Sequence, residues 1–115
     1  MNHLTAALLL LVSALAAESD PATLPLVTDG KAAAVIVLPE APDQWTETAA
    51  TWLVQYTESV SGAKMKVVRE KPGVHPPAGP RISVGHTRLA AEARISLQEL
   101  KWDGCRLLVK DDTLF

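Results

Sequence analysis

The sequence predicts an α/β (α+β) domain in which one long amphipathic helix and short helices pack on a mixed sheet. Three observations predict this fold class: an unbroken apolar run at residues 32–38, a stretch with helical periodicity at residues 42–62, and short alternating segments after it. A long helix between two strands permits a crossover that makes those strands parallel. The 115 residues, 48% of them hydrophobic, suffice for one small core.

The first predicted element is a buried strand. The turn sequence Thr28-Asp29-Gly30-Lys31 precedes it, and the apolar residues 32–38 then run without interruption to Pro39. An unbroken apolar run with β-branched residues is typical of a strand that is buried on both faces.

The second predicted element is the long helix. Asp43 and Glu47 near its amino end complement the helix dipole, and Ser61-Gly62 supplies a glycine for its carboxyl end. Its apolar residues recur at helical spacing: Trp45, Ala49, Trp52, Leu53, Tyr56 and Val60. We expect this stripe, including Trp45 and Trp52, to form part of the core.

Shorter elements follow the helix. We predict strands at residues 64–68, 81–85 and 105–110, a Pro- and Gly-rich loop at 71–80, a short helix at 86–94 and a helical turn near 97–100. Cys105 alternates with Leu107 and Val109 in the last full strand, so we expect its thiol to be buried.

The last elements predict an antiparallel hairpin around Asp111-Asp112, whose second arm, Thr113-Leu114-Phe115, is barely begun. A hairpin needs two arms to satisfy its backbone groups. We therefore expect the fold to be truncated before its last elements.

The amino-terminal residues predict export. Residues 1–17 contain no Asp, Glu, Lys or Arg, and an apolar centre is followed by Ala14, Ala16 and Ala17. This layout is typical of a cleaved signal peptide and is shorter than a membrane span. We predict a signal peptide at 1–17, a linker at 18–27 and a domain at 28–115 that is incomplete at its carboxyl end. The mature protein would be periplasmic or extracellular, without membrane attachment after cleavage.

Composition limits the chemistry. The net charge of −2 and the absence of a basic stripe argue against nucleic-acid binding, and the single cysteine, Cys105, excludes an intrachain disulfide. No phosphate-binding glycine loop, nucleophile elbow or zinc-ligand spacing is present, and neither His75 nor His86 belongs to a metal pattern. We predict no cofactor and no metal.

The carboxylates offer no catalytic pair either. The candidates are Asp43, Glu47, Glu58, Glu70, Glu92, Glu99, Asp103, Asp111 and Asp112. Glycoside hydrolysis, for example, needs two acids that flank one bond, and no suitable pair is evident. We interpret these acids as solvated or turn residues and predict no catalytic residue in this chain.

Trp102 is the candidate ligand-binding residue. It lies beside the turn residues Asp103-Gly104, and a partly exposed indole offers a flat apolar face for stacking on a sugar ring. Packing of Trp102 against a neighbouring domain is the alternative.

The order of several short motifs resembles a known domain type. The motifs are Asp29-Gly30-Lys31, Val37-Leu38-Pro39-Glu40, Ala49-Ala50-x-Trp52-Leu53-x-x-Tyr56, Ser61-Gly62-Ala63-Lys64, Ile82-Ser83-Val84-Gly85-His86-Thr87 and Asp103-Gly104-Cys105-Arg106. Over residues 26–115 the chain resembles the amino-terminal domain of bacterial alpha-glucuronidases and the related domain before the barrel in beta-hexosaminidases.

The resemblance implies an α/β sandwich placed before a (β/α)₈ catalytic barrel, and it transfers no active-site residue to this chain. It implies a non-catalytic amino-terminal accessory domain of a secreted glycoside hydrolase-like protein that takes part in polysaccharide degradation. The expected partner is the following catalytic domain. The alternatives are a stand-alone carbohydrate-binding module or a protein-interaction domain, with a polysaccharide as partner of the former, and a small independent enzyme lacks support.

Overall fold

The structure is a computed structural model that describes residues 23–101 and 104–115. The predicted signal peptide and Trp102 lie outside the described residues. The elements are β1 (Val27–Thr28), β2 (Lys31–Ala32), β3 (Val35–Leu38), α1 (Gln44–Ser61), β4 (Lys66–Arg69), β5 (Arg81–Ser83), α2 (Arg88–Glu92), β6 (Val109–Lys110) and β7 (Thr113–Leu114).

The main sheet has five strands in the order β4-β3-β5-β7-β6, beside a separate β1-β2 hairpin. Strand β3 pairs in parallel with β4 and β5, β5 pairs in parallel with β7, and β6 and β7 form an antiparallel hairpin. The predicted mixed sheet with one long helix is thereby confirmed, and the two strands that α1 connects have the parallel pairing that such a crossover permits.

The predicted turn before the first strand is confirmed, but the apolar run is divided. Asp29 and Gly30 have φ values of 52° and 73°, the left-handed pair that a tight hairpin turn requires. This turn pairs β1 with β2, and the backbone N–H groups of Ala33 and Ala34 donate to the Leu26 carbonyl at 2.9 and 3.3 Å. The sheet strand β3 therefore begins only at Val35.

Both ends of α1 are where the sequence predicts them. The N-cap residue Asp43 accepts a hydrogen bond from Thr46 N at 2.7 Å through its side chain. At the other end, Gly62 has a φ of 76° and donates its backbone N–H to the Glu58 carbonyl at 2.8 Å. These bonds satisfy terminal backbone groups that the helix itself leaves unpaired.

The core lies between α1 and one face of the sheet. Its buried hydrophobic residues are Ala34, Ile36, Leu38, Ala50, Met65 and Ile82. Ile36 is level with Ile82 on β5, and Ile82 is level with Leu114 on β7. Residues at matched positions of parallel strands point to the same face, so these side chains form the layer on which α1 packs.

The predicted burial of the tryptophan stripe is wrong. Trp45, Trp52, Tyr56 and Val60 are exposed by 78%, 61%, 73% and 85%. Leu53, also in the predicted stripe, does pack against the core, together with buried Ala50 and partly buried Val54. Helix α1 has two adjacent apolar faces. The face that carries Ala50 lets the helix approach the sheet closely because the alanine side chain is small.

The predicted strand at 105–110 and the predicted burial of Cys105 are also wrong. Strand β6 contains only Val109–Lys110, and its pairing extends by one further step, at which Leu108 and Phe115 exchange backbone hydrogen bonds of 3.0 and 2.8 Å. Cys105 lies three residues beyond that last pair and is exposed. Without a paired strand on either side, its side chain has no sheet face to be buried against.

The hairpin turn at Asp111-Asp112 is confirmed, with φ values of 50° and 58° at these residues. Strand β7, which comes after the turn, lies inside the sheet between β5 and β6. Its Thr113 is buried and accepts a hydrogen bond from Arg81 Nε at 3.1 Å through its hydroxyl oxygen. The residues Thr113-Leu114-Phe115, which the sequence predicts as the start of a hairpin arm, therefore contain an interior strand of the sheet.

Candidate functional site

The most distinctive surface of the domain is an exposed side of α1 that adjoins the face packed on the sheet. We call it the outer face, and it consists of Trp45, Trp52, Tyr56 and Val60. These positions are separated by seven, four and four residues. With 3.6 residues per turn they fall within an arc of about 80° and extend about 22 Å along the axis. The outer face is thus one continuous apolar stripe.

An open apolar groove extends the outer face toward the β1-β2 hairpin. The groove has a volume of about 380 Å³ and is lined by Leu26 and Val27 together with Tyr56, Thr57, Val60 and Ser61 of the helix. The stripe therefore continues from the first turn of α1 to the strand that opens the domain. A ligand on the outer face would contact two separate elements of the chain.

Charge is confined to the other side of the helix. The charged residues of α1 are Glu47 and Glu58, and both lie opposite the outer face at 100° per residue. Glu47 forms an ion pair with Arg69 on strand β4. The outer face consequently presents aromatic and aliphatic groups without a charge among them, so apolar contact dominates what it can bind.

Trp102, the ligand-binding residue predicted from the sequence, lies outside the described residues, as does Asp103. The role of Trp102 stays a prediction. The exposed aromatic residues that the structure does describe are those of α1, whereas the sequence pattern predicts Trp45 and Trp52 in the core. The hydrophobic periodicity of α1 identifies these residues as one apolar stripe. It predicts that the tryptophans are buried, whereas they are exposed.

One acidic residue departs from the interpretation that all carboxylates are solvated or turn residues. Glu70 is only 6% exposed. Its Oε1 accepts from Arg88 N at 2.7 Å and its Oε2 accepts from Leu89 N at 3.2 Å. The Thr87 hydroxyl oxygen accepts the N-cap hydrogen bond from Ala90 N at 3.0 Å. Glu70 therefore binds the amino end of α2, where unpaired N–H groups and the helix dipole favour a carboxylate.

The carboxylate of Asp43 is also hydrogen-bonded to a helix end, the amino end of α1. Its hydrogen bonds with the backbone N–H and the side chain of Thr46 lower the pKa of Asp43 below the usual 3.8. A carboxylate that is stabilised as the anion in this way is a poor proton donor near neutral pH. Asp43 thus serves as a cap for α1.

The histidines and the cysteine do not assemble into a metal site. His75 lies in the loop before β5 and His86 follows Gly85, and both are exposed. Within residues 23–101 and 104–115, no group of three or more His, Cys, Asp or Glu side chains is placed to hold a metal ion. Over the same residues, neither helix is long and apolar enough to cross a membrane.

Comparisons with protein-family models, with curated proteins and with solved structures gave no match. The resemblance drawn from the motifs therefore stays a prediction, and the structural information about function comes from the geometry of the domain itself.

Proposed function

We propose that this chain is a non-catalytic accessory domain of a secreted glycoside hydrolase-like protein involved in polysaccharide degradation. In this proposal the outer face of α1 packs against the following catalytic domain. The observation that carries the proposal is the exposure of Trp45, Trp52 and Tyr56, each by at least 61%, on one uncharged side of the longest helix. Contiguous exposed apolar patches mark interaction sites, and Trp and Tyr dominate the binding energy of interfaces.

The size of the outer face supports a domain contact. Aromatic side chains bury about 150–250 Å² each, so three that are exposed by 61–78% offer roughly 300–500 Å². This matches one side of a typical interdomain interface, which buries about 600–1,500 Å² in total. The adjoining groove at Leu26 and Val27 enlarges the contact further.

The state of the acidic residues supports a non-catalytic role. Hydrolysis of a glycosidic bond needs a proton donor and a second carboxylate on either side of that bond. The buried Glu70 uses both of its oxygens to bind α2, and Asp43 uses its carboxylate to cap α1. Each of these two acids is therefore committed to a helix end rather than directed toward a cleft.

Secretion and the link to polysaccharides rest on two sequence observations. The first is the uncharged apolar segment at residues 1–17, which is typical of a signal peptide. The second is the resemblance to the domain that precedes the barrel in alpha-glucuronidases and beta-hexosaminidases. The proposed localisation is periplasmic or extracellular.

The test is a titration of residues 18–115 with the separately purified catalytic domain encoded downstream of this segment. We expect saturable binding that weakens at least tenfold in the double variant Trp52→Ala/Tyr56→Ala. The matched control is Glu58→Gln, which alters the same helix on its opposite side and should bind like the unaltered chain. An absence of binding, or equal binding by the double variant, would contradict the proposed packing.

A second candidate function is a carbohydrate-binding module, and the linear arrangement of the outer face favours it. Trp45 and Trp52 are seven residues apart, which corresponds to about 10.5 Å along the helix. Flat rings at this interval suit every second sugar ring of an extended polysaccharide, because one sugar residue spans about half that distance. Sedimentation with insoluble cellulose, chitin or xylan tests this alternative. Saturable binding that Trp45→Ala abolishes would favour it, and failure to sediment would remove it.

A further inference from the structure

A small cavity lies at the carboxyl ends of β5 and β7, and no residue of the outer face of α1 lines it. Its volume is about 180 Å³. Ser83, His86 and Arg106 supply its main polar groups, and Ile95, Leu97 and Phe115 supply apolar walls. It combines a cationic arginine and a histidine with an apolar interior.

The cavity lies along the edge of the sheet at which ligands commonly bind. Strands β4, β3, β5 and β7 are parallel, so their carboxyl ends lie along one edge of the sheet. From β3 the chain continues to β4 on one side, and from β5 it reaches β7 on the other. The connections therefore diverge between β3 and β5, and the cavity lies next to this point, on the carboxyl edge at which open α/β sheets bind ligands.

The backbone around the cavity is held by specific contacts. Gly85 has a φ of 82°, and a β-carbon at this position would lie 3.0 Å from the Thr46 side chain in the first turn of α1. The loop that carries His86 therefore packs tightly on α1. On the inner side, the Ser83 hydroxyl lies 2.5 Å from that of Thr87, which caps α2. The cavity is thus braced by both helices.

The acidic groups near Arg106 and His86 leave room for a ligand. Glu99 Oε2 lies 3.7 Å from Arg106 Nη2, but the Glu99 side chain is 88% exposed, and such an exposed pair is weak. Asp43 lies close enough to His86 for the charge of His86 to contribute to its lowered pKa, but the carboxylate of Asp43 is bound to Thr46. The Arg106 side chain is 34% exposed, so its guanidinium can exchange Glu99 for another carboxylate.

We propose that this cavity binds a small organic carboxylate. Arg106 pairs with the carboxylate, since a guanidinium matches the two oxygens of that group, and His86 lies at the rim. The walls formed by Ile95, Leu97 and Phe115 hold the carbon body of the ligand. A cavity of about 150 Å³ accommodates benzene, so the volume here suits a ring of about six atoms. Inorganic phosphate, which has no apolar body, fits the walls poorly.

The test is an NMR titration of residues 18–115 with benzoate, and with benzamide and inorganic phosphate as comparison probes. We expect saturable shifts of the Gly85, Ala90 and Phe115 amides with benzoate, and at least tenfold weaker binding of benzamide and phosphate. Equal binding of benzoate and benzamide, or of benzoate and phosphate, would contradict a carboxylate site with an apolar body. The absence of saturable shifts would do the same.

Two variants locate the site. Arg106→Gln should weaken benzoate binding at least tenfold, whereas Lys31→Gln, a cation in the distant β1-β2 hairpin, should leave it unchanged. If Arg106→Gln disturbs folding, as judged by circular dichroism, Ala90→Leu provides an independent test, because the larger side chain fills the cavity. Undiminished benzoate binding by a folded Arg106→Gln or Ala90→Leu variant would overturn the proposal. Variants of the outer face should not alter benzoate binding, so this test is independent of the proposed function.

Discussion

The two faces of α1 differ in a way that the hydrophobic pattern does not reveal. The inner face carries Ala50, Leu53 and Val54 and packs on the sheet, whereas the outer face carries Trp45, Trp52 and Tyr56 and is exposed. Both faces are apolar and both repeat at helical spacing. The comparison shows that the face which lets the helix approach the sheet most closely is the one that packs. Buried Ala50 lets α1 lie near β3, whereas the large tryptophan side chains would keep the helix farther from the sheet.

The largest expected effect comes from removing a side chain beneath the inner face. Ile36 is fully buried on β3, so Ile36→Ala should lower the free energy of unfolding by about 2–5 kcal/mol. Val67 is level with Ile36 on β4 but is 40% exposed, so Val67→Ala should cost about 1 kcal/mol or less. Urea unfolding of both variants measures the difference. Similar losses would mean that the core is not centred on β3.

The second expected effect concerns Glu70, which connects the sheet to α2. Glu70→Ala removes the acceptor for two backbone N–H groups in a nearly buried site, so we expect a loss of about 1–3 kcal/mol. Glu92→Ala, an exposed acid on α2 itself, is the matched control and should change stability by about 0.5 kcal/mol or less. Thermal unfolding of the two variants compares them, and equal stability would exclude the capping role of Glu70.

A smaller effect is expected from the charge of Asp43 at the start of α1. Because folding lowers the pKa of Asp43, the ionised side chain stabilises the domain at pH values above its usual pKa of 3.8. That stability is lost as pH falls through the lowered pKa of the folded state. Asp43→Asn keeps an oxygen for Thr46 N but has no charge. Its stability deficit should therefore be present at pH 7 and vanish in acid, and a pH-independent deficit would refute this explanation.

The smallest expected effect is at Trp52 on the outer face. Trp52→Ala should change the free energy of unfolding by about 0.5 kcal/mol or less, since the side chain is 61% exposed. Its neighbour Leu53 packs against the core, so Leu53→Ala should cost about 1–3 kcal/mol. Urea unfolding of these adjacent variants compares the two faces directly. A larger loss of unfolding free energy for Trp52→Ala than for Leu53→Ala would indicate that Trp52 is part of the core.

The features that the sequence predicted correctly depend on local chemistry. Asp43 and Gly62 cap the helix through bonds to residues three or four positions away, so its ends can be read from the chain. The turns at Asp29-Gly30 and Asp111-Asp112 likewise follow from residues that tolerate positive φ. The length of the connecting helix permits the parallel pairing of β3 and β4 that the structure has.

The features that the sequence missed depend on contacts between distant segments. Glu70 meets the amino end of α2 only because the end of β4 lies beside it in the folded sheet. The exposure of Cys105 depends on where the pairing with β7 stops. The choice between the two faces of α1 depends on which one fits the surface around Ile36. Local periodicity carries no information about these three contacts.

The most direct test of the proposed packing is the solvent accessibility of Trp52 in a chain where it is the sole tryptophan, made with Trp45→Phe and Trp102→Phe. Acrylamide quenching of its fluorescence should be nearly as fast in the isolated folded domain as in urea. It should slow when the catalytic domain that we propose as the partner is added. Slow quenching in the isolated domain would contradict the exposure of the outer face, and quenching that stays fast in the presence of that domain would contradict its role in packing.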